Sequence, residues 1–164
     1  MKRFTAMLSL VLMLMVLPAA SQDKVHEGMV LLDQGKADEA AALFQKAVDL
    51  NPRNTAAMNG LAKAQLQGGK PALAEATAKN ALLVDDKNAE TWLLLAQAQM
   101  SLGHKADAYT TLRKAIKPTK NNPELLVQLG WLHLSADSTS QAEIAFSQAK
   151  QQLPKNPEIY RGLG

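Results

Sequence analysis

Two hydrophobic patterns divide the chain. Phe4 to Leu17 is an apolar run of 14 residues interrupted only by Thr5 and Ser9. From residue 22 onward, apolar and polar positions follow helical spacing in short stretches punctuated by glycine, asparagine and proline. These stretches predict helices over 23–34, 37–50, 55–67, 71–84, 89–102, 105–117, 123–135 and 139–152.

The helical part repeats with a period of 34 residues. Gly28, Ala62, Ala96, Gly130 and Gly164 form one row of small residues; Ala40, Ala74, Ala108 and Ala142 form a second; Ala47, Ala81, Ala115 and Ala149 form a third. A larger residue stands between the alanine rows at Phe44, Leu112 and Phe146, with Ala78 in the second copy. Four copies align with no insertion. A small side chain lets two helix backbones approach closely, so each small row marks a helix crossing. Gly35, Gly69 and Gly103 lie between paired helical patterns, where the residue after a helix must take a positive φ. Asp137 fills that place in the fourth copy, less comfortably. Asn122-Pro123-Glu124 and Asn156-Pro157-Glu158 each read as a cap, a first-turn proline and a first-turn acid. Pro71 opens the second helix of its copy in the same way.

This arrangement resembles the tetratricopeptide repeat, a helix-turn-helix unit of 34 residues. Trp92, Leu95 and Ala96 match its first-helix signature in the third copy, as Leu126, Leu129 and Gly130 do in the fourth. Gly28, Ala40, Phe44, Ala47 and the closing Leu50-Asn51-Pro52 match it in the first. The expected first-helix tyrosine is replaced by Leu31, Gln65, Gln99 or His133, and Asp86 and Lys120 replace the closing proline. The resemblance implies an all-α, right-handed α-solenoid of about four repeats (22–54, 55–88, 89–122, 123–156) plus a truncated fifth. Residues 157–164 would begin that fifth copy, with Tyr160, Leu163 and Gly164 matching its signature. The stub either lies on the preceding helix as a short lid or continues into a longer chain, and the longer chain is the expectation.

The N-terminus is predicted to be an export signal spanning 1–21. Met1-Lys2-Arg3 is a positive start, Phe4 to Leu17 the apolar region, and Pro18-Ala19-Ala20-Ser21 offers the small residues of a cleavage site after Ser21 or Ala20. Residues 4–20 fall short of the roughly 20 apolar positions a membrane anchor needs. The layout looks bacterial, which places the mature chain in the periplasm or beyond. With no cysteine, acylation is excluded, and so are disulfides and thiolate metal sites.

Charge follows from the same division. Lys2 and Arg3 account for two of the 18 cations and residues 1–21 carry no acid, so residues 22–164 hold 16 cations against 15 anions, a net +1. A near-neutral body with 4% aromatic residues gives no footing for nucleic acid. Arg113, Lys114, Lys117 and Lys120 form the one charge cluster, with no acid between Asp107 and Glu124. They suit a helix C-terminus, where cations complement the dipole, and the competing reading is an anionic partner or membrane headgroups.

No catalytic constellation emerges, so the chain is expected not to be an enzyme and to need no cofactor or metal. His26, His104 and His133 sit at different repeat positions, and His133 occupies an interior row. Asp85 and Asp86 are neighbours that cap or solvate a helix end. No nucleophile elbow, phosphate loop or paired-histidine metal motif is present.

Function is therefore expected on the concave face that the first helix of each tetratricopeptide repeat lines. The positions unused by the packing rows are Val25, Met29 and Leu32 in the first copy, Asn59 and Lys63 in the second, Leu93, Gln97 and Met100 in the third, and Val127 and Trp131 in the fourth. Trp131 is the outstanding member, a large ring beside the glycine row, of a type enriched at interface hot spots. Val25 and Met29 stand where chaperone-binding members carry a carboxylate clamp, so a chaperone-tail adaptor is not expected. An apolar groove suits an amphipathic helix or extended apolar segment of another protein. The alternatives are a scaffold that self-associates through its uncapped C-terminal end, and an accessory segment of a longer envelope protein serving exopolysaccharide, pilus or secretion machinery.

Overall fold

The computed structural model describes residues 20–164, so a signal over 1–21 lies outside the described residues except for Ala20 and Ser21. Among the described residues there are nine helices and no strand: α1 (20–33), α2 (Ala37–Leu50), α3 (Thr55–Gln67), α4 (Pro71–Val84), α5 (Ala89–Ser101), α6 (Lys105–Ala115), α7 (Pro123–Leu134), α8 (Thr139–Gln152) and α9 (Pro157–Leu163). None of them is long and apolar enough to cross a membrane. Two compact units divide after Thr77, inside α4, so compactness does not follow the repeat boundaries.

Helix starts and stops follow the 34-residue period. Asn54, Asn88, Asn122 and Asn156 cap α3, α5, α7 and α9, each side chain accepting a first-turn backbone N–H. The caps at Asn54 and Asn88 extend the pattern seen in the Asn-Pro-Glu triplets. The first helix of each pair ends in one closure. Gly35, Gly69, Gly103 and Asp137 take φ of +75°, +69°, +80° and +54°. In each case the next residue's N–H reaches back to the carbonyl five residues earlier, as from Lys36 to Leu31 and from Ser138 to His133, both 2.9 Å. This is the Schellman arrangement, and it satisfies carbonyls that the helix end leaves free. Asp137 pays a steric penalty there that glycine does not. Asp137→Gly is accordingly expected to stabilise the fold by about 1 kcal/mol, read as a raised urea midpoint with an unchanged slope.

Several boundaries differ from the sequence expectation: α1 runs 20–33 instead of 23–34, and α5 and α7 each end one residue early. α6 ends at Ala115, two residues before the anticipated 117, because Pro118 has no N–H to continue the ladder. Thr119 then hydrogen-bonds Ala115 through both its amide (3.1 Å) and hydroxyl (2.6 Å), and Lys120 and Asn121 both take positive φ. Arg113 and Lys114 occupy the last turn of α6, where cations oppose the negative end of the dipole. Arg113 also lies over the Tyr109 ring, 5.7 Å from its centroid.

Packing in the first unit centres on Phe44. Its fully buried ring is joined in one cluster by Leu32, Ala40, Leu61 and Ala64. Gly28 of α1 and Gly60 of α3 both abut the ring; a Cβ at Gly28 would lie 2.9 Å from it, and one at Gly60 closer still. The second unit repeats the device. Phe146 of α8 is fully buried between Gly130 of α7 and Gly162 of α9. Its cluster takes in Leu126, Val127, Ala142, Ala149 and Ile159, so α9 docks on α7 and α8. A separate cluster of Ala96, Ala108, Leu112, Ala115, Leu125, Leu129 and Leu132 joins α5, α6 and α7.

Candidate functional site

The second unit carries an open depression of about 490 Å³ between α5 and α7. Leu93, Ala96, Gln97 and Met100 line it from α5, Leu112 from α6, and Gln128, Trp131, Leu132 and Ser135 from α7 and its end. Leu93, Gln97, Met100 and Trp131 are thus brought together from positions 93, 97 and 100 of one helix and 131 of another. No ionisable side chain lines the depression, whose polar side chains are two carboxamides, the Ser135 hydroxyl and the Trp131 indole N–H. That hydroxyl donates to the Leu132 carbonyl at 2.8 Å, so Gln97, Gln128 and the Trp131 indole N–H are the donors that could meet a ligand's backbone.

The place of the depression has a packing cause. Gly28–Phe44–Gly60 and Gly130–Phe146–Gly162 occupy equivalent repeat positions, and the third-copy equivalents are Ala96, Leu112 and Gln128. All three line the depression. Where two other copies seal the crossing with a ring against two glycines, this copy has only a leucine. Leu112 and Gln128 were not anticipated, although the alternation of Phe44, Ala78, Leu112 and Phe146 carried the signal.

Trp131 has a packing role as well as an exposed one. It is half-buried and meets Phe146 edge-on, with centroids 5.4 Å apart and planes at 76°. Val127 is buried in the Phe146 cluster, so little of its surface is available to a partner. In the first unit Met29 is exposed, Val25 is half-buried against the Phe44 cluster and Leu32 is buried within it. Asn59 is buried and Lys63 half-buried, and both have polar partners.

His133 departs from its expected place in the interior. It is half-buried, edge-on to Tyr109 at 5.2 Å, and lines a second depression of about 400 Å³ with Lys105, Ser138 and Gln141 among others. Burial, assisted by the Arg113 guanidinium, holds its imidazole below the ordinary value near 6.5. The unfolded chain therefore binds this proton more readily than the folded one. Stability from neutral His133 is complete above that ordinary value and is lost as pH falls below it. His133→Gln should flatten the pH dependence of the thermal midpoint between about pH 7 and pH 5. Asp85 accepts the Lys87 amide at 2.9 Å, as a turn-capping carboxylate does. Among the described residues, no three His, Asp or Glu side chains gather in a way that could hold a metal ion.

The sequence matches the tetratricopeptide repeat family over residues 26–90 and again over 69–123, together most of the described chain. No protein of curated function matches it. Among solved structures, TTC0263, a thermophilic tetratricopeptide protein of Thermus thermophilus, is 25% identical with a TM-score of 0.75, over 88% of this chain and 79% of that one. PilF of Pseudomonas aeruginosa is 22% identical with a TM-score of 0.78, over 88% and 66%. A MamA protein is 21% identical with a TM-score of 0.71, over 88% and 79%. These likenesses concern the fold. With two family matches in overlapping register and a repeat-by-repeat agreement in caps and closures, the chain belongs to the tetratricopeptide repeat family.

Proposed function

We propose that this protein is a non-enzymatic adaptor, exported to the bacterial cell envelope, that holds an apolar segment of another protein against α5 and α7. Tetratricopeptide repeats generally serve as protein interaction or scaffold modules, and the finer assignment rests on one observation. The 490 Å³ depression is lined by Leu93, Met100 and Trp131 around two neutral carboxamides, with no charged side chain. A charged residue buried there would lose hydration without gaining a counter-ion, whereas an uncharged apolar one gains about 1.5–3 kcal/mol. Two or three such anchors supply about 3–9 kcal/mol, which association costs of roughly 4–15 kcal/mol largely offset, so the anchors alone give weak, reversible binding. Export rests on the leader over 1–21, and an envelope partner follows from it.

The test is capture from native cells with a C-terminal tag, comparing the unaltered chain with Met100→Asp. Met100 is exposed and belongs to neither the Leu112 nor the Phe146 cluster of its unit, so its replacement is expected to leave the fold intact. One specific envelope protein should be retained by the unaltered chain and lost from the variant; equal retention by both removes the depression from the proposal.

A further inference from the structure

The basic turn between α6 and α7 lies outside the depression, which none of its residues lines. We propose that Lys114, Lys117 and Lys120 form an electrostatic docking surface for an anionic lipid bilayer. This goes beyond the adaptor reading and rests on neither the leader nor the depression.

The fold does not need these charges. The dipole of α6 favours Arg113 and Lys114 in its last turn and extends at most to Lys117; Lys120 stands five residues past Ala115, outside its reach. Arg113 already lies over the Tyr109 ring. Lys114, Lys117 and Lys120 are all exposed, and none is in an ion pair among the described residues. Nor does the repeat call for them. The places of Lys117 and Lys120 hold Asp49 and Pro52 in the first copy, Leu83 and Asp86 in the second, and Gln151 and Pro154 in the fourth.

The turn gathers the three cations and holds them in place. Ile116 keeps helical dihedrals, φ −55° and ψ −48°, so Lys114 and Lys117, three positions apart, share a face. The Lys120 N–H donates to the Lys117 carbonyl at 3.2 Å and the Asn121 N–H to the Ile116 carbonyl at 2.8 Å, which closes the turn. The Gln152 side-chain amide donates to the Asn121 carbonyl at 2.9 Å and ties the turn to the end of α8. Lys120 takes a φ of +55°, which glycine or asparagine would adopt with less strain. With no acid between Asp107 and Glu124, nothing within the segment offsets the charge.

The chemistry of the patch favours a bilayer over a protein. A protein interface is depleted of charge at its centre and draws its energy from buried aromatic or apolar anchors. The turn has no such anchor to offer, because Ile116 packs against the core clusters and Pro118 is half-buried. Lysine ammoniums are hydrated point charges without the planar fork that reads a fixed carboxylate. They suit a plane of mobile phosphate headgroups. Each lysine close to such a surface strengthens partitioning by about fivefold, and the three together by about a hundredfold.

The experiment is sedimentation of the full chain with vesicles of phosphatidylcholine, and with vesicles in which about a third of the lipid is phosphatidylglycerol. Three chains are compared: the unaltered one, Lys114→Gln/Lys117→Gln/Lys120→Gln, and a control, Lys36→Gln/Lys46→Gln/Lys87→Gln, that removes the same charge from exposed sites elsewhere. The unaltered and control chains should partition onto the anionic vesicles, and the turn variant should lose about a hundredfold of that affinity with its cooperative thermal transition intact. Salt near 1 M, where the Debye length is about 3 Å, should abolish the difference. Adhesion through the apolar leader appears on both kinds of vesicle and in all three chains. Equal partitioning of the unaltered chain onto neutral and anionic vesicles overturns the proposal. So does an equal loss in the control, which would assign the effect to net charge. Capture of one acidic protein from native cells by the unaltered chain and not by the turn variant, without vesicle binding, replaces the bilayer by a protein and overturns it as well.

Discussion

Gly60→Val should unfold the first unit at markedly lower urea than the unaltered chain, with a loss of roughly 3 kcal/mol. The reason is steric. A Cβ at Gly60 falls on the Phe44 ring, and the ring cannot retreat because Gly28 presses on it from α1 and its surface is already fully buried. Overpacking a rigid core costs about 1–3 kcal/mol even for a single methyl, and a β-branched residue adds more. For a chain of this size, the thermal midpoint should fall by about 10 °C. The diagnostic measurement is a double-mutant cycle with Phe44→Leu, which shrinks the ring at the point of collision. Phe44→Leu alone leaves a cavity and Gly60→Val alone creates a clash, so the pair should lose less than the sum of the two, by about 0.5–3 kcal/mol. Strict additivity would mean that the ring and the glycine do not compete for the same space.

The second large effect concerns binding. Trp131→Ala should weaken partner capture by a factor of about 30 or more, the loss of at least 2 kcal/mol that marks a hot-spot tryptophan. Because Trp131 also leans on Phe146, part of any loss could come from a loosened α7–α8 crossing. Trp131→Phe separates the two contributions, since it keeps an edge-on ring while reducing the surface offered to a partner. Full-strength capture by Trp131→Phe, with Met100→Asp inactive, would place the energetic centre on α5 instead of α7. Capture undiminished in Trp131→Ala, in a variant that still unfolds cooperatively, would remove Trp131 from the interface.

Most of the fold was legible because the repeat prints its packing into the sequence. The alanine rows at 40, 74, 108 and 142, and at 47, 81, 115 and 149, are the buried crossings they were read to be. Helix ends were legible wherever glycine or an Asn-Pro pair marked them. The end of α6 was not, because Pro118 lies two residues ahead of the position where Pro52 closes the first copy. A reading by period alone passes over a local break in the hydrogen-bond ladder. The site was legible in part. Leu93, Gln97, Met100 and Trp131 follow from counting exposed first-helix positions, whereas Leu32, Asn59 and Val127 fit the same count and are buried. Periodicity assigns a helix face but cannot tell how deeply a neighbouring helix covers it. The hollow over Leu112 depends on the combined volume of three residues from three helices, a quantity that becomes visible only when rows are compared across copies.

The ring and its two glycines also bear on a hazard peculiar to repetitive chains. Four units of one architecture offer many wrong pairings in which one copy's second helix settles against another copy's first, within one chain or between two. The crossings here are not interchangeable. Phe44 fits where glycines stand at 28 and 60, and Phe146 where they stand at 130 and 162, while the second and third copies present Ala62 with Leu94 and Ala96 with Gln128 at the same positions. A slip of one copy would drive a phenylalanine into an alanine and a longer side chain. Each copy therefore carries an address written in side-chain volume, and the chain can repeat its architecture without losing its place in it.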